Sequence, residues 1–348
     1  MDLRVDRVEG GHRLAGEWEG VPQANVFLGH LAGRHFSPAT VRAYAYDLLC
    51  FARFLNARGL GLGTVGPVDI FDWIDAQMGT GAKARAIRRA GAAPASVNRR
   101  IAAVRAFYEH QVMTGTRTEN PVPSPRRGAG LRPAPQGLLG HLGSGRRRGG
   151  GRLVRQPHRL PESLSATDVQ CFLGDLNTHR DRAMVLAMVL GGLRAAEVRG
   201  LLLADVDTGR RRLRVLGKGG RERIVPVDAA FFAEVTAYLH LERPPGLSTP
   251  ECFVILRGPG AGRPVGEAAL RSVFRRHRAS SGAARVRPHR LRHTYGTELA
   301  AAGIDLLALR DLMGHVSPQT TAGYVHLSVE HLAAEYAAAR ASMAGARA

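Results

Sequence analysis

Six side chains of this 348-residue chain, Arg194, Lys218, His289, Arg292, His315 and Tyr324, have types and an order that could perform one reaction. Arginine forks and histidines hold oxyanions, lysine and histidine move protons, and a phenol can serve as a nucleophile. They occur in the short segments Gly191-Gly-Leu-Arg194-Ala-Ala-Glu197, Gly217-Lys218-Gly, Pro288-His289-Arg-Leu-Arg292-His293, Leu312-Met-Gly-His315 and Thr320-Thr-Ala-Gly-Tyr324-Val-His326. Each has a plain structural reading: Arg194 in a salt bridge with Glu197, Lys218 as a polar turn residue, the His-Arg segment as a solvated helix start, and Tyr324 as an ordinary loop tyrosine. Tyr295 and Tyr336 read more simply as packing on their own helices.

Taken together, the set fits attack of a tyrosine hydroxyl on a phosphodiester. The phosphorane-like arrangement carries extra negative charge, which two arginines and a histidine can stabilise by about 3–4 kcal/mol per pre-organised donor. A phenol with a pKa of about 10 needs a base, and the departing sugar oxygen needs a proton. His289, which shares a helix face with Arg292 three residues on, can be the base, and Lys218 the acid. Lys83 and Lys218 are the only lysines among 49 basic Lys and Arg residues, so Lys218 stands where a transferable proton would matter. A zinc site at His289 and His293 is disfavoured, because His-Arg-Leu-Arg-His lacks the glutamate of the zinc motif and sets two arginines among the would-be ligands.

The chain divides into segments that would carry these groups. Residues 1–19 read as an N-terminal tail. Residues 20–115 read as a small helical bundle with a basic outer surface. Within it, Ser37 and Pro38 start a helix that Gly59 stops, with Val41, Tyr44, Leu48, Ala52 and Leu55 on one stripe. A second helix begins near Ser96, with Val97, Ile101, Val104 and Tyr108 on its stripe, and shorter helices are expected over 24–32 and 69–77. Residues 116–159 contain ten arginines and one acid, Glu119, amid Pro and Gly, and read as a linker, either a strap across a phosphate backbone or a solvated spacer.

A domain over 160–342 follows, with a tail over 343–348. Ser165 and Asp168 form a capping pattern, 183–190 is apolar on every face, and strands over 211–216 and 223–227 flank the glycine-rich tip at Lys218. Helices are expected over 288–302 and 329–342. The fold class is therefore mainly α with a small β-hairpin or sheet: a helical N-terminal domain plus a mixed α+β domain.

The formal net charge of +20 makes a polyanion the first partner to test. The opening residues lack the apolar core of a signal peptide, and the longest apolar stretch falls short of the ~18 residues of a membrane span, so a cytoplasmic protein with no membrane role is expected. Cys50, Cys171 and Cys252 are widely spaced and suggest neither a disulfide framework nor a zinc site.

In its motifs the chain resembles the tyrosine site-specific recombinases of the phage-integrase family, in their simple two-domain form. Ser37, Thr40, Tyr44, Asp47, the run from Arg99 to Tyr108, and Asn120-Pro121 look like that family's core-binding domain. Gly192-Leu-Arg194 with Glu197, Gly217-Lys218-Gly, His289-Arg-Leu-Arg292-His293, Gly314-His315 and Tyr324-Val-His326 look like its catalytic domain, in the family's order. The resemblance implies that Arg194, Arg292 and His315 polarise the scissile phosphate, Lys218 protonates the leaving 5′ oxygen, His289 assists proton transfer and Tyr324 forms a 3′-phosphotyrosyl link. It further implies a two-domain clamp on double-stranded DNA and four protomers on paired sites. No metal, ATP or other cofactor is expected. The biological outcome would be integration, excision or resolution of a mobile element or replicon. Two alternatives remain open at this point: topoisomerase-like relaxation by the same chemistry, and DNA binding with the site unused.

Overall fold

A computed structural model describes residues 2–9, 11–79, 91–123, 153–155, 163–217 and 219–314. Lys218, His315, Tyr324, the helix expected over 329–342 and the tail over 343–348 lie outside the described residues. The chain forms two units, Met1–His158 and Arg159–Ala348.

In the first unit, β1 (Arg4–Val8) and β2 (Gly11–Ala15) form an antiparallel hairpin that pairs Arg4 with Ala15 and Val8 with Gly11. This corrects the reading of 1–19 as a tail. The reason is visible in its anchors: Leu3, Leu14 and Trp18 are buried in the helical core. Asn25 also accepts the Leu14 N–H at 2.9 Å and donates to the Leu14 carbonyl at 3.0 Å, as a neighbouring strand would. Five-residue strands are short, and their alternation is weak enough to escape a periodicity search.

Asn25 belongs to α1 (Val21–Gly33), which packs with α2 (Pro38–Arg58) and α4 (Pro94–Met113), while α3 (Pro67–Met78) packs on α4. Ser37 caps α2 by accepting the Thr40 N–H at 3.2 Å, and Gly59 ends it at a φ of +64°. Of the expected stripe, Val41, Leu48, Ala52 and Leu55 are buried and Tyr44 packs at its edge. Val97, Ile101, Val104 and Tyr108 of α4 are buried opposite them.

Both described ends of the expected linker belong to this unit, which corrects its boundaries. Val122 is buried, Asn120 donates to the Arg105 carbonyl at 3.0 Å, and Arg117 donates to the carbonyls of Leu62 and Val65. Asn98 pairs with both backbone groups of Val154. Side-chain amides that mimic a strand thus secure segments with no apolar period of their own.

The second unit opens with α5 (Ala166–Asp175), capped by Ser165, and α6 (His179–Val189), whose residues from Ala183 to Val189 are all buried. Helix α6 packs on α8 (Ala229–Leu241) and α10 (Pro288–Ala301). Beside them lies an antiparallel sheet of β3 (Val206–Asp207), β4 (Arg212–Leu216) and β5 (Glu222–Pro226), in which Leu216 pairs with Glu222. The short third strand adds to the expected hairpin. Helix α7 (Ala195–Arg199) follows α6, α9 (Glu267–Ser280) packs on α5, and α11 (Leu306–Met313) packs on α10. Among the described residues no helix is long and apolar enough to cross a membrane.

Candidate active site

The site grows from the glycine pair that ends α6. Gly192 takes a φ of +62°, and a Cβ there would collide with the ring of Tyr295. Tyr295 is buried with Leu309 and Met313, so it packs. The turn delivers Arg194 to the N-terminus of α7, where its N–H and Nη1 donate to the two oxygens of Glu197, at 2.8 and 2.7 Å. The plain reading of Arg194 as a salt-bridge partner of Glu197 is therefore true, and it is one part of a larger arrangement.

Glu197 has a side chain only 4% exposed and also accepts from Arg223 of β5, at 3.0 Å from Nη1 and 2.8 Å from Nη2. Arg292 of α10 brings its Nη1 to 3.9 Å from the same carboxylate. Burial opposes the charge of Glu197, yet the hydrogen bonds from Arg223 and Arg194 outweigh it and hold the carboxyl below its ordinary pKa. Three guanidiniums thus face one carboxylate, a surplus of two positive charges among the described residues of this cluster.

The same arginines take three successive carbonyls at the end of α11. Arg223 Nε donates to Leu312 O at 2.8 Å, Arg292 Nη2 to Met313 O, and Arg194 Nη2 to Gly314 O at 3.0 Å. The C-terminus of a helix carries partial negative charge and open carbonyls, so cations are stabilising there. Gly314 ends the helix at a φ of +59°, and the next residue in the chain is His315. Arg292 also donates to Gly192 O from Nη1, which closes the ring of contacts between the Gly192 turn and the α11 terminus. The side chain of Arg194 is 36% exposed and that of Arg292 is 5% exposed, so Arg194 forms the outer edge of the cluster.

His289 and His293 are one turn apart on α10, with their Nε2 atoms 2.8 Å apart. One proton bridges the pair, so one ring donates and the other accepts. Loss of part of its water shell, then the charges of Arg292 and Arg194, lower the pKa of His289. Burial, His289 and Arg292 push that of His293 down to about 4. Both rings are neutral near pH 7, as a base must be. Among the described residues no cluster of three or more His, Cys, Asp or Glu side chains is placed to hold a metal.

The structure therefore brings together Arg194, Arg292 and the turn before His315, with His289 on the same helix as Arg292. Arg223 was absent from the sequence-based set. Its signal was an arginine in register with inward-facing Val225 on a half-buried strand, a place where an unpaired charge is costly.

Residues 162–331 match the Phage integrase family, and residues 24–113 match the Phage integrase, N-terminal SAM-like domain. The tyrosine recombinase XerC of Pelobacter propionicus is 32% identical over 320 residues, covering 90% of this chain and 93% of that protein. The XerC of Chromohalobacter salexigens is 32% identical as well, over 89% and 92% of the two chains. In fold, the chain resembles the XerH site-specific recombinase solved in a post-cleavage complex with its palindromic difH substrate, with a TM-score of 0.62 at 17% identity over 91% of this chain and 84% of that one. With both of its units matched and relatives of this similarity along nearly the whole length, the chain belongs to the phage integrase family and is a tyrosine recombinase, an enzyme that transfers DNA strands.

Proposed function

We propose that this recombinase cleaves and rejoins specific DNA sites through a 3′-phosphotyrosyl bond at Tyr324, with Arg194, Lys218, His289, Arg292 and His315 as its helpers, and that four protomers act on two paired sites. The Tyr324 oxygen attacks phosphorus, a P–O bond to tyrosine forms, and the bond to the 5′ oxygen breaks. The phenolic proton passes to His289, and Lys218 supplies a proton to the leaving 5′ oxygen. Attack by the 5′ hydroxyl of the partner strand reverses these steps, so no net bond energy is lost and no ATP is needed.

The observation that carries this reading is the clasp of Arg194, Arg223 and Arg292 on three successive carbonyls leading into His315, around the carboxylate of Glu197. A phosphodiester has one negative charge and the pentacoordinate arrangement about two, so guanidiniums that outnumber the carboxylates among the described residues of the cluster favour the latter. The lowered pKa of His289 supports its role as base at neutral pH.

A nicked duplex that loses its 5′ fragment on cleavage tests the proposal by trapping the covalent adduct. Tyr324→Phe is expected to abolish the adduct while gel-shift binding persists, and an adduct in that variant overturns the assignment. Full activity in EDTA is expected as well. Equal relaxation of plasmids of unrelated sequence would favour a topoisomerase instead.

A further inference from the structure

We infer that Arg223 is a positioning residue for strand cleavage: it fixes the α11 terminus that leads into His315 and ties it to Glu197 and Arg194. This rests on the proposed reading of His315 and Arg194 as phosphate-binding groups.

Arg223 is 10% exposed, and its guanidinium makes contacts in three directions. Its Nη1 and Nη2 form a fork on Glu197 at 3.0 and 2.8 Å, while Nε reaches Leu312 O at 2.8 Å. Gly314 lies directly against it, since a Cβ on that residue would stand 3.0 Å from Arg223 Nη1. One side chain thus joins a strand, the N-terminal turn of α7 and the end of α11. Five residues earlier in the chain is Lys218. Arg223 therefore links the strand that follows the expected acid to the turn that precedes His315.

A purely stabilising role explains this poorly. Buried ion pairs contribute little net stability compared with apolar packing, and the inward position on β5 lies in register with Val225, which needs no charge. A rigid planar fork with a third donor is suited to fixing the relative positions of two groups, and a lysine cannot reproduce it. Misplacement of a catalytic group by about 1 Å costs on the order of 10²-fold in rate.

The test uses the full chain and a nicked duplex obtained by covalent capture on the wild-type protein from a randomised library. Failure of wild-type capture, or capture that survives in Tyr324→Phe, would overturn the reading of the site and with it the role of Arg223. With capture secured, Arg223→Gln should slow single-turnover cleavage by about 10²-fold while DNA affinity stays within about twofold. Arg223→Lys should recover less than about a tenth of the wild-type rate. Combined with His315→Ala, Arg223→Gln should add less than its loss as a single variant, because the two changes share the α11 terminus while the tie to Arg194 through Glu197 is lost only with Arg223. Multiplicative losses in the double variant, full activity of Arg223→Lys, or a fall in affinity equal to the fall in rate would each overturn the proposal.

Discussion

At the scale of single residues, Glu197 does the most with one side chain, because its carboxylate accepts hydrogen bonds from two guanidiniums and keeps a third within 3.9 Å. Removing one partner of a buried, hydrogen-bonded ion pair costs about 3–5 kcal/mol. Glu197→Gln should therefore destabilise the second unit by roughly 3 kcal/mol in denaturant unfolding. It should also slow cleavage by at least about 10²-fold, because the arginines lose their common anchor. His289 gives a separate prediction. Its pKa lies below the ordinary histidine value, so its basic form persists as pH falls through 6.5 and is lost only at lower pH. Single-turnover cleavage should show no histidine limb between pH 8 and 6.5 and should decline below that, and the decline should disappear in His289→Gln. A limb centred above pH 6.5 that His289→Gln removes would show that the histidine acts in a different environment.

Elements account for how such residues meet, and they differ in how much of their form could be read beforehand. Helices α2 and α4 were legible, since capping by Ser37, the stop at Gly59 and a continuous apolar stripe all point the same way. The apolar run 183–189 within α6 was equally plain. The hairpin at 4–15 was not, because its hold on the core comes from Asn25, a side chain on another element. Replacing Asn25 by alanine should accelerate hydrogen exchange at the Leu14 amide more than at amides of α2, as expected when one backbone donor and one acceptor lose their partners. Unchanged exchange at Leu14 would mean that the buried Leu3, Leu14 and Trp18 alone dock the hairpin. The candidate site was legible where chemistry and spacing coincide, as at Arg194, His289 and Arg292. Arg223 escaped because its part depends on a contact between residues 89 positions apart.

For the molecule as a whole, the arginine surplus proves to be spent in two ways. Arg53, Arg105, Arg117, Arg180, Arg182 and Arg243 donate to backbone carbonyls, and Arg58 and Arg99 pair with acids, so these guanidiniums help build the fold. Arg117 shows the distinction well, with two carbonyls accepting from it and its guanidinium lying over the Tyr108 ring at 5.0 Å. Arg117→Ala should lower the stability of the first unit and leave the salt dependence of DNA binding unchanged. An arginine that contacts phosphate would instead reduce the slope of log K against log salt by about 0.9.

In the proposed reaction these parts serve a nucleophile at Tyr324. Digestion of the trapped protein–DNA adduct with nuclease and protease, followed by mass spectrometry, reads the attachment point directly. The expected product is a 3′-phosphonucleotide on the peptide that contains Tyr324. A nucleotide on any other residue, Tyr295 included, would contradict it.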